Sequence, residues 1–215
     1  MNAKQNHCGQ TANLRSCRPD PDTIAAAAAA VRSGEVICFP TGSLYGLGAD
    51  AFNPEAVRRV FEIKHRSPDK PVLVLVNAIE QLEQLVVRVP SIGRELMQRF
   101  WPGKLTLVFE ARGSVPPILT AGTGKIGIRQ PGHPVARALA AAVGRPLTGT
   151  SANVSGDPGC RRVSDLPASI RTSVSMVIDS GPLAGGVGST VVDISGDRPI
   201  VLREGSVPAA LIHEV

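Results

Sequence analysis

At 215 residues, 43% of them hydrophobic and 19% charged, the chain can bury a sizeable core and lacks the composition of a disordered one. No apolar run reaches the roughly 18 residues that a membrane span needs, and the polar opening MNAKQNHCGQTANLRSCRPD lacks the apolar stretch of a secretory signal. A net charge of +5 suits ordinary solubility and equally an anionic ligand or a nucleic acid. Residues 1–20 read as a flexible tail and 21–215 as one domain. Asp20-Pro21-Asp22-Thr23 then opens an alanine-rich helix that Gly34 terminates, and EVICF is a buried strand ending at Pro40. The loop TGSLYGLGAD follows, with two hydroxyls and two glycines just past that strand. Asn53 and Pro54 cap a helix to about Lys64, with Val57, Val60 and Phe61 as its apolar stripe. PVLVLV predicts a second buried strand and AIEQLEQLV a helix. Ser91 caps a helix through Phe100, which Trp101-Pro102-Gly103 breaks. LTLVFEA and Ile126–Arg129 alternate as strands, and HPVARALAAAVG is a helix. PLTG and MVI are short strands, TVVDISGDRPIVLR is a hairpin turning at Ser195-Gly196-Asp197, and a last short helix follows Pro208. This alternation predicts a single α/β domain built on a mixed twisted open sheet with flanking helices.

Cys8, Cys17, Cys38 and Cys160 form no C-x-x-C pair, which predicts neither a disulfide framework nor a zinc site and suits a reducing cytosol. Four scattered histidines offer no metal set. Three motifs come close to known ones and fail. GTGKIG has Ile126 where a phosphate loop needs a hydroxyl for magnesium. GLGADA fits the dinucleotide form, but its strand has ended too early. GTSAN has Asn153 where a nucleophile elbow needs glycine. What remains is a set of cations and hydroxyls. Lys64 continues the helix stripe, and Arg66 and Lys70 follow at once, a spacing that suits several phosphate or carboxylate oxygens. Arg129 ends an otherwise apolar strand, and Ser151 and Asn153 follow the buried PLTG. Gly188-Ser189-Thr190 opens the hairpin that Arg203 closes.

Taken in order, FPTGSLYGLGADAFNPEAVRRVFEIKHRSPDKPVLVLV, FWPGKLTLVF, IGIRQPGHP, GTSANVSGDP, GSTVVD and VLREG resemble the YrdC-like threonylcarbamoyl-AMP synthases, in their short single-domain form. The resemblance runs from about Ile24 to Gly205. It implies helices and a mixed sheet around a positively charged cavity. It implies a nucleotidyltransferase, acting in the cytoplasm, that makes threonylcarbamoyl-AMP and pyrophosphate from L-threonine, bicarbonate and ATP. The product goes to a transferase that modifies the tRNA adenosine next to the anticodon. Mg2+ accompanies ATP, and no tightly bound organic cofactor is implied. By the same resemblance Lys64 and Arg66 are the catalytic residues. ATP binding falls to Lys64, Arg66, Lys70, Lys125, Ser151, Asn153, Gly159 and Arg203, and threonine binding to Thr41, Ser43, Arg129, Gly149 and Ser189. Lys125 replaces the usual threonine at an ATP contact; Gly42 replaces the usual acid and Ser43 the usual threonine, and these two departures bear on recognition of the substrate threonine. The alternative reading is an RNA-binding module, double-stranded RNA included, without synthase activity.

Overall fold

The computed structural model describes residues 8–11 and 14–215, with side chains from residue 16 onward. In chain order it has β1 (Cys8–Thr11), β2 (Leu14–Cys17), α1 (Pro21–Arg32), β3 (Ile37–Pro40), β4 (Tyr45–Gly48), α2 (Pro54–Lys64), β5 (Val74–Leu75) and α3 (Ser91–Phe100). Then come β6 (Leu105–Glu110), α4 (Pro117–Thr120), β7 (Lys125–Arg129), α5 (Pro134–Val143), β8 (Leu147–Thr148) and β9 (Thr150–Ser151). The chain closes with α6 (Ala168–Ser173), β10 (Met176–Ile178), β11 (Thr190–Asp193), β12 (Ile200–Arg203) and α7 (Ala209–His213).

The helix boundaries follow from caps. The Thr23 amide donates to Asp20 Oδ1 at 2.7 Å, and Pro21 takes the first turn of α1, where no amide is needed. Asn53 Oδ1 accepts from the amides of Glu55 and Ala56 at 3.1 and 3.2 Å. His65 ends α2 in the left-handed region, φ 47°, which leaves Lys64 as its last helical residue. The alanines of α1 let it lie close to α5, with Ala27, Ala28 and Val31 buried in one cluster with Ala136, Leu139 and Ala140.

The mixed α/β class is as expected, but the strands divide into two six-stranded sheets rather than one. The first has the order β1-β2-β10-β3-β4-β9 and the second β12-β11-β6-β7-β5-β8. Each mixes parallel and antiparallel neighbours. The chain passes from the second sheet to the first between β8, which pairs with β5, and β9, which pairs with β4. Gly149 is the crossing residue. A Cβ there would stand 2.6 Å from Leu75 Cγ, so a side chain at the crossing would have to displace Leu75 of β5.

Several expectations are corrected. The tail does not stay loose to Asp20: β1 pairs with β2, and β2 lies parallel to β10 through Ser16 and Cys17, where backbone pairing outweighs a polar composition. Residues 1–7 lie outside the described residues. Cys17 is disulfide-bonded, with Cys8 directly opposite in the register, so the cysteine spacing concealed a cross-strand position; Cys38 and Cys160 are free and buried. Tyr45–Gly48, read as loop, is a strand. Its glycines serve sheet packing rather than a ligand: a Cβ at Gly46 would lie 2.9 Å from Thr150 O, and one at Gly48 2.6 Å from the Phe39 ring. Of PVLVLV only Val74 and Leu75 pair as strand, although Val72 and Val76 are buried too. AIEQLEQLV makes a 3-10 helix over Ile79–Gln84 with Ile79 exposed. Ser91 is the first helical residue, and Pro90 holds the cap position. The β11–β12 hairpin turns where the sequence predicted.

Candidate functional site

The site begins with strand alternation. Residues directly opposite each other in a sheet face the same side, and every second residue of a strand shares that side. In the second sheet Val191 stands beside Thr106 and Asp193 beside Val108, while Val108 stands beside Gly127. The same face therefore carries Lys104, Thr106 and Val108, then Lys125, Gly127 and Arg129, then Ser189, Val191 and Asp193. These residues line a cavity of about 600 Å3. Leu202 and Arg203 of β12 extend this wall, Arg203 standing opposite Val191. The other walls are Thr41, Ser43 and Leu44 from the β3–β4 turn, Arg66 and residues 71–73 after α2, and the crossing segment Gly149–Ser151.

Five cations line this space, Arg66, Lys104, Lys125, Arg129 and Arg203, against one acid, Asp193. Most have protein partners. Lys125 Nζ pairs with Asp193 Oδ2 at 2.7 Å, spanning the floor above β6. That cation and the Ser195 hydrogen bonds hold the Asp193 carboxyl below the usual range, against the opposing effect of burial. Arg203 Nη2 donates to Ser189 O at 2.8 Å. Arg66 donates to the carbonyls of Lys70 and Pro71 at 3.2 and 2.7 Å and lies 6.0 Å from the Phe61 ring centroid. Arg129 differs. It is 8% exposed, and its Nε is buried with no hydrogen-bond partner among the described residues. Burial, and after it the like charge of Arg203, lowers its pKa to about 10. A guanidinium has five donors in a fixed fork. This one is desolvated, remains charged at neutral pH, and looks onto a cavity whose one acid, Asp193, is engaged by Lys125.

The hydroxyls are held by the fold. Thr41 donates from both its amide and its Oγ1 to Leu44 O, at 3.0 and 2.8 Å. The Gly185 amide donates to Ser43 O at 3.0 Å, and Ser43 is buried at the cavity edge. Tyr45, next in the chain but one, is fixed at its hydroxyl by Asp179, Gly181 O and the Ser180 amide. Gly42 has φ +127°, a conformation that disfavours any side chain, although nothing stands within 4 Å of a Cβ there. Ser189 Oγ and Thr106 Oγ1 are 2.8 Å apart.

Lys64 lies behind this surface. It is 2% exposed, and its Nζ donates to Ser151 O, to Asn153 O at 2.8 Å and to Asn153 Oδ1 at 3.1 Å. All three ammonium hydrogens are thereby used. Burial, then Arg66, lowers its pKa to about 8. Asn153 Nδ2 in turn donates to Val154 O and Asp157 O at 2.9 and 2.6 Å, and the Ser151 hydroxyl donates to Asn153 Oδ1. The ammonium thus braces the loop that presents Ser151.

Of the residues singled out in the sequence, the cavity brings together Thr41, Ser43, Arg66, Lys125, Arg129, Gly149, Ser151, Ser189 and Arg203. It does not include Lys64 and Asn153, which support Ser151 from behind, nor the exposed Lys70, which offers its carbonyl to Arg66. Gly159 packs against Leu44, which does line the cavity. Sequence reading missed Lys104, Thr106, Gly127, Val191 and Asp193. The period-2 pattern of LTLVFE and TVVD held that information, since it puts each of these on the face of Arg129 or Ser189. Among the described residues no group of three or more His, Cys, Asp or Glu side chains could hold a metal, and no helix is long and apolar enough to cross a membrane.

Residues 29–205 match the Sua5/yciO/yrdC family, described as telomere recombination. The threonylcarbamoyl-AMP synthase of Bacillus subtilis is 40% identical over 197 residues, covering 91% of this chain and 57% of the relative. A putative threonylcarbamoyl-AMP synthase of Mycobacterium leprae is 40% identical over 200 residues, covering 91% of this chain and 90% of the relative. The crystal structure of Pyrococcus abyssi Sua5 complexed with L-threonine superposes with a TM-score of 0.87 at 36% identity, over 91% of this chain and 57% of that one. Escherichia coli YciO superposes with a TM-score of 0.77 at 29% identity, over 88% and 92%. The chain thus spans little more than half the length of the B. subtilis and P. abyssi proteins.

Proposed function

The chain belongs to the Sua5/yciO/yrdC family, and from that premise we propose that it makes threonylcarbamoyl-AMP and pyrophosphate from L-threonine, bicarbonate and ATP. The observation that carries this reading is Arg129, a buried guanidinium with an unpartnered Nε on the wall of a cavity rich in cations. Such a group suits a carboxylate held in bidentate fashion, and a P. abyssi relative has been solved with L-threonine. In this reading Ser43 and Ser189 offer hydroxyls to the amino acid, with Thr41 and Gly149 shaping its wall. Arg66, Lys125, Ser151 and Arg203 face the nucleotide. Lys64 and Asn153 act through Ser151.

The chemistry asks for positioning and charge rather than a protein nucleophile. The threonine amine and bicarbonate give N-carboxythreonine and water. A carbamate oxygen then forms a bond to the α-phosphorus of ATP. The bond from that phosphorus to the β-phosphate's bridging oxygen breaks, and its electron pair leaves with pyrophosphate. Arg66, Lys125 and Arg203 counter the charge that gathers on the phosphates. Mg2+ enters with ATP, bound by phosphate oxygens and water. Asp193, the one acid in the wall, is engaged by Lys125 and Ser195 and is a poor ligand in this arrangement. The product then passes, in the cytoplasm, to a transferase that modifies the tRNA adenosine beside the anticodon.

Pyrophosphate release from the purified chain is the test. Release is expected only when ATP, threonine and bicarbonate are all present. Release that is indifferent to threonine overturns the reading. No release, together with tight binding of RNA, favours the non-catalytic RNA-binding alternative.

A further inference from the structure

Three glycines line the cavity, and a steric clash accounts for only one of them. A Cβ at Gly149 would strike Leu75 Cγ at 2.6 Å, whereas one at Gly188, in the loop before β11, would meet only the mobile tip of Arg203 at 3.4 Å. Gly127 also has room for a side chain, and unlike Gly188 it lies within a strand. Its φ lies outside the left-handed region, so the backbone does not require glycine. A Cβ there would meet Thr106 Cγ2 at 3.5 Å and Val108 Cγ2 at 3.9 Å, which are ordinary contacts. It is also the middle residue of a β-strand, where glycine costs conformational entropy. Neither geometry nor packing explains its presence.

Its position does. Gly127 stands on the same face of β7 as Lys125 and Arg129, one on either side. Same-face neighbours along a strand are separated by about 7 Å. The floor between the two cations is therefore bare backbone, where any side chain would project into the cavity. On the function proposed above, Arg129 anchors the amino acid and Lys125 lies on the nucleotide side. The bond that forms, carbamate oxygen to α-phosphorus, must lie between the two anchors.

We infer that Gly127 keeps the floor open beneath the junction of the two substrates, and that the size of residue 127 decides whether they can meet. It is a positioning residue, since it supplies room and no chemical group. The inference rests on the proposed synthase activity and deepens it.

Gly127→Ala and Gly127→Val are the probes, because the alanine fits its protein neighbours and folding is expected to be retained. Thermal melts, calorimetric titration of threonine alone and of ATP alone, and pyrophosphate release are measured on the parent and both variants. The expected result is unchanged or slightly higher melting temperatures and each separate affinity within about threefold of the parent. The turnover rate for pyrophosphate release is expected to fall at least tenfold for alanine and further for valine. An active parent with equally active variants overturns the inference while leaving the proposed function intact. Loss of threonine binding alone to the same extent as turnover also overturns it, by placing Gly127 beneath one substrate. A parent that releases no pyrophosphate overturns the proposed function and this inference with it.

Discussion

A buried guanidinium without a counter-charge weakens the fold that holds it, because desolvation is not repaid by a partner. Replacing Arg129 by methionine is therefore expected to raise folding stability by about 1–3 kcal/mol while lowering threonine affinity by about 1.5–3 kcal/mol, roughly tenfold to more than a hundredfold. Urea unfolding and calorimetry on the same variant check both signs; a destabilised Arg129→Met would mean that the arginine serves the fold. Lys64 makes the opposite case, since its three bonds tie Ser151 and Asn153 to the end of α2. Lys64→Met leaves Asn153 O without its donor, and Ser151 O and Asn153 Oδ1 with one donor fewer, and is expected to cost about 1–3 kcal/mol at pH 7. The pH dependence has a definite sign. Burial holds Lys64 at about 8 in the fold, below its ordinary value of 10.5. Between these values the unfolded chain binds more protons than the folded one, so this group adds stability as pH rises. The gap between parent and Lys64→Met should accordingly widen from pH 8 to pH 10 in urea titrations. A gap that narrows contradicts the assigned environment.

At the scale of elements, the sequence was most legible where one residue punctuates a long periodic segment. Asp20, Asn53 and Gly144 mark helix ends because their side chains or backbone freedom act locally. Short strands were harder. Tyr45–Gly48 carries two glycines and so looked like loop, yet it pairs between β3 and β9, where a Cβ would meet Thr41 and the Thr150 carbonyl at position 46 and the Phe39 ring at position 48. The segment Leu14–Cys17 is polar and becomes a strand because β1 and β10 pair with it on either side, a fact that no local pattern carries. Gly149 is the element-scale counterpart of Gly46, and it supports a sharper prediction. Gly149→Ala drives a methyl into Leu75 and is expected to cost about 1–3 kcal/mol. If that clash is the cause, adding Leu75→Ala should recover part of the loss, so that the double variant is less destabilised than the two single effects combined. Strict additivity in chemical denaturation would show that the strain lies elsewhere.

At the scale of the molecule, the family motifs pointed to residues most of which line one cavity, without revealing how they assemble. Lys64 stood out as a phosphate contact because its stripe position and neighbouring cations suggest one, and only the three-dimensional arrangement turns its ammonium inward toward Asn153. The face shared by Lys104, Thr106, Gly127 and Asp193 was encoded in alternation, but choosing which face meets the ligand required the register of three strands. The crossing at Gly149 has a consequence for cooperativity. Ser43 hangs from a turn of the first sheet, whereas Arg129 belongs to the second. An amino acid touching both is a tie between two bodies of structure, and its binding energy is lost unless both are folded. Threonine should then slow hydrogen exchange in β3 and β4 as well as in β6 and β7, by similar factors and under conditions where exchange requires large-scale opening. Protection confined to one sheet would mean that the ligand leans on that sheet alone. Protection of both would make the small molecule a fastener, reinforcing by transient occupancy what the chain itself joins through its crossings and the Thr148 to Ala49 backbone bond.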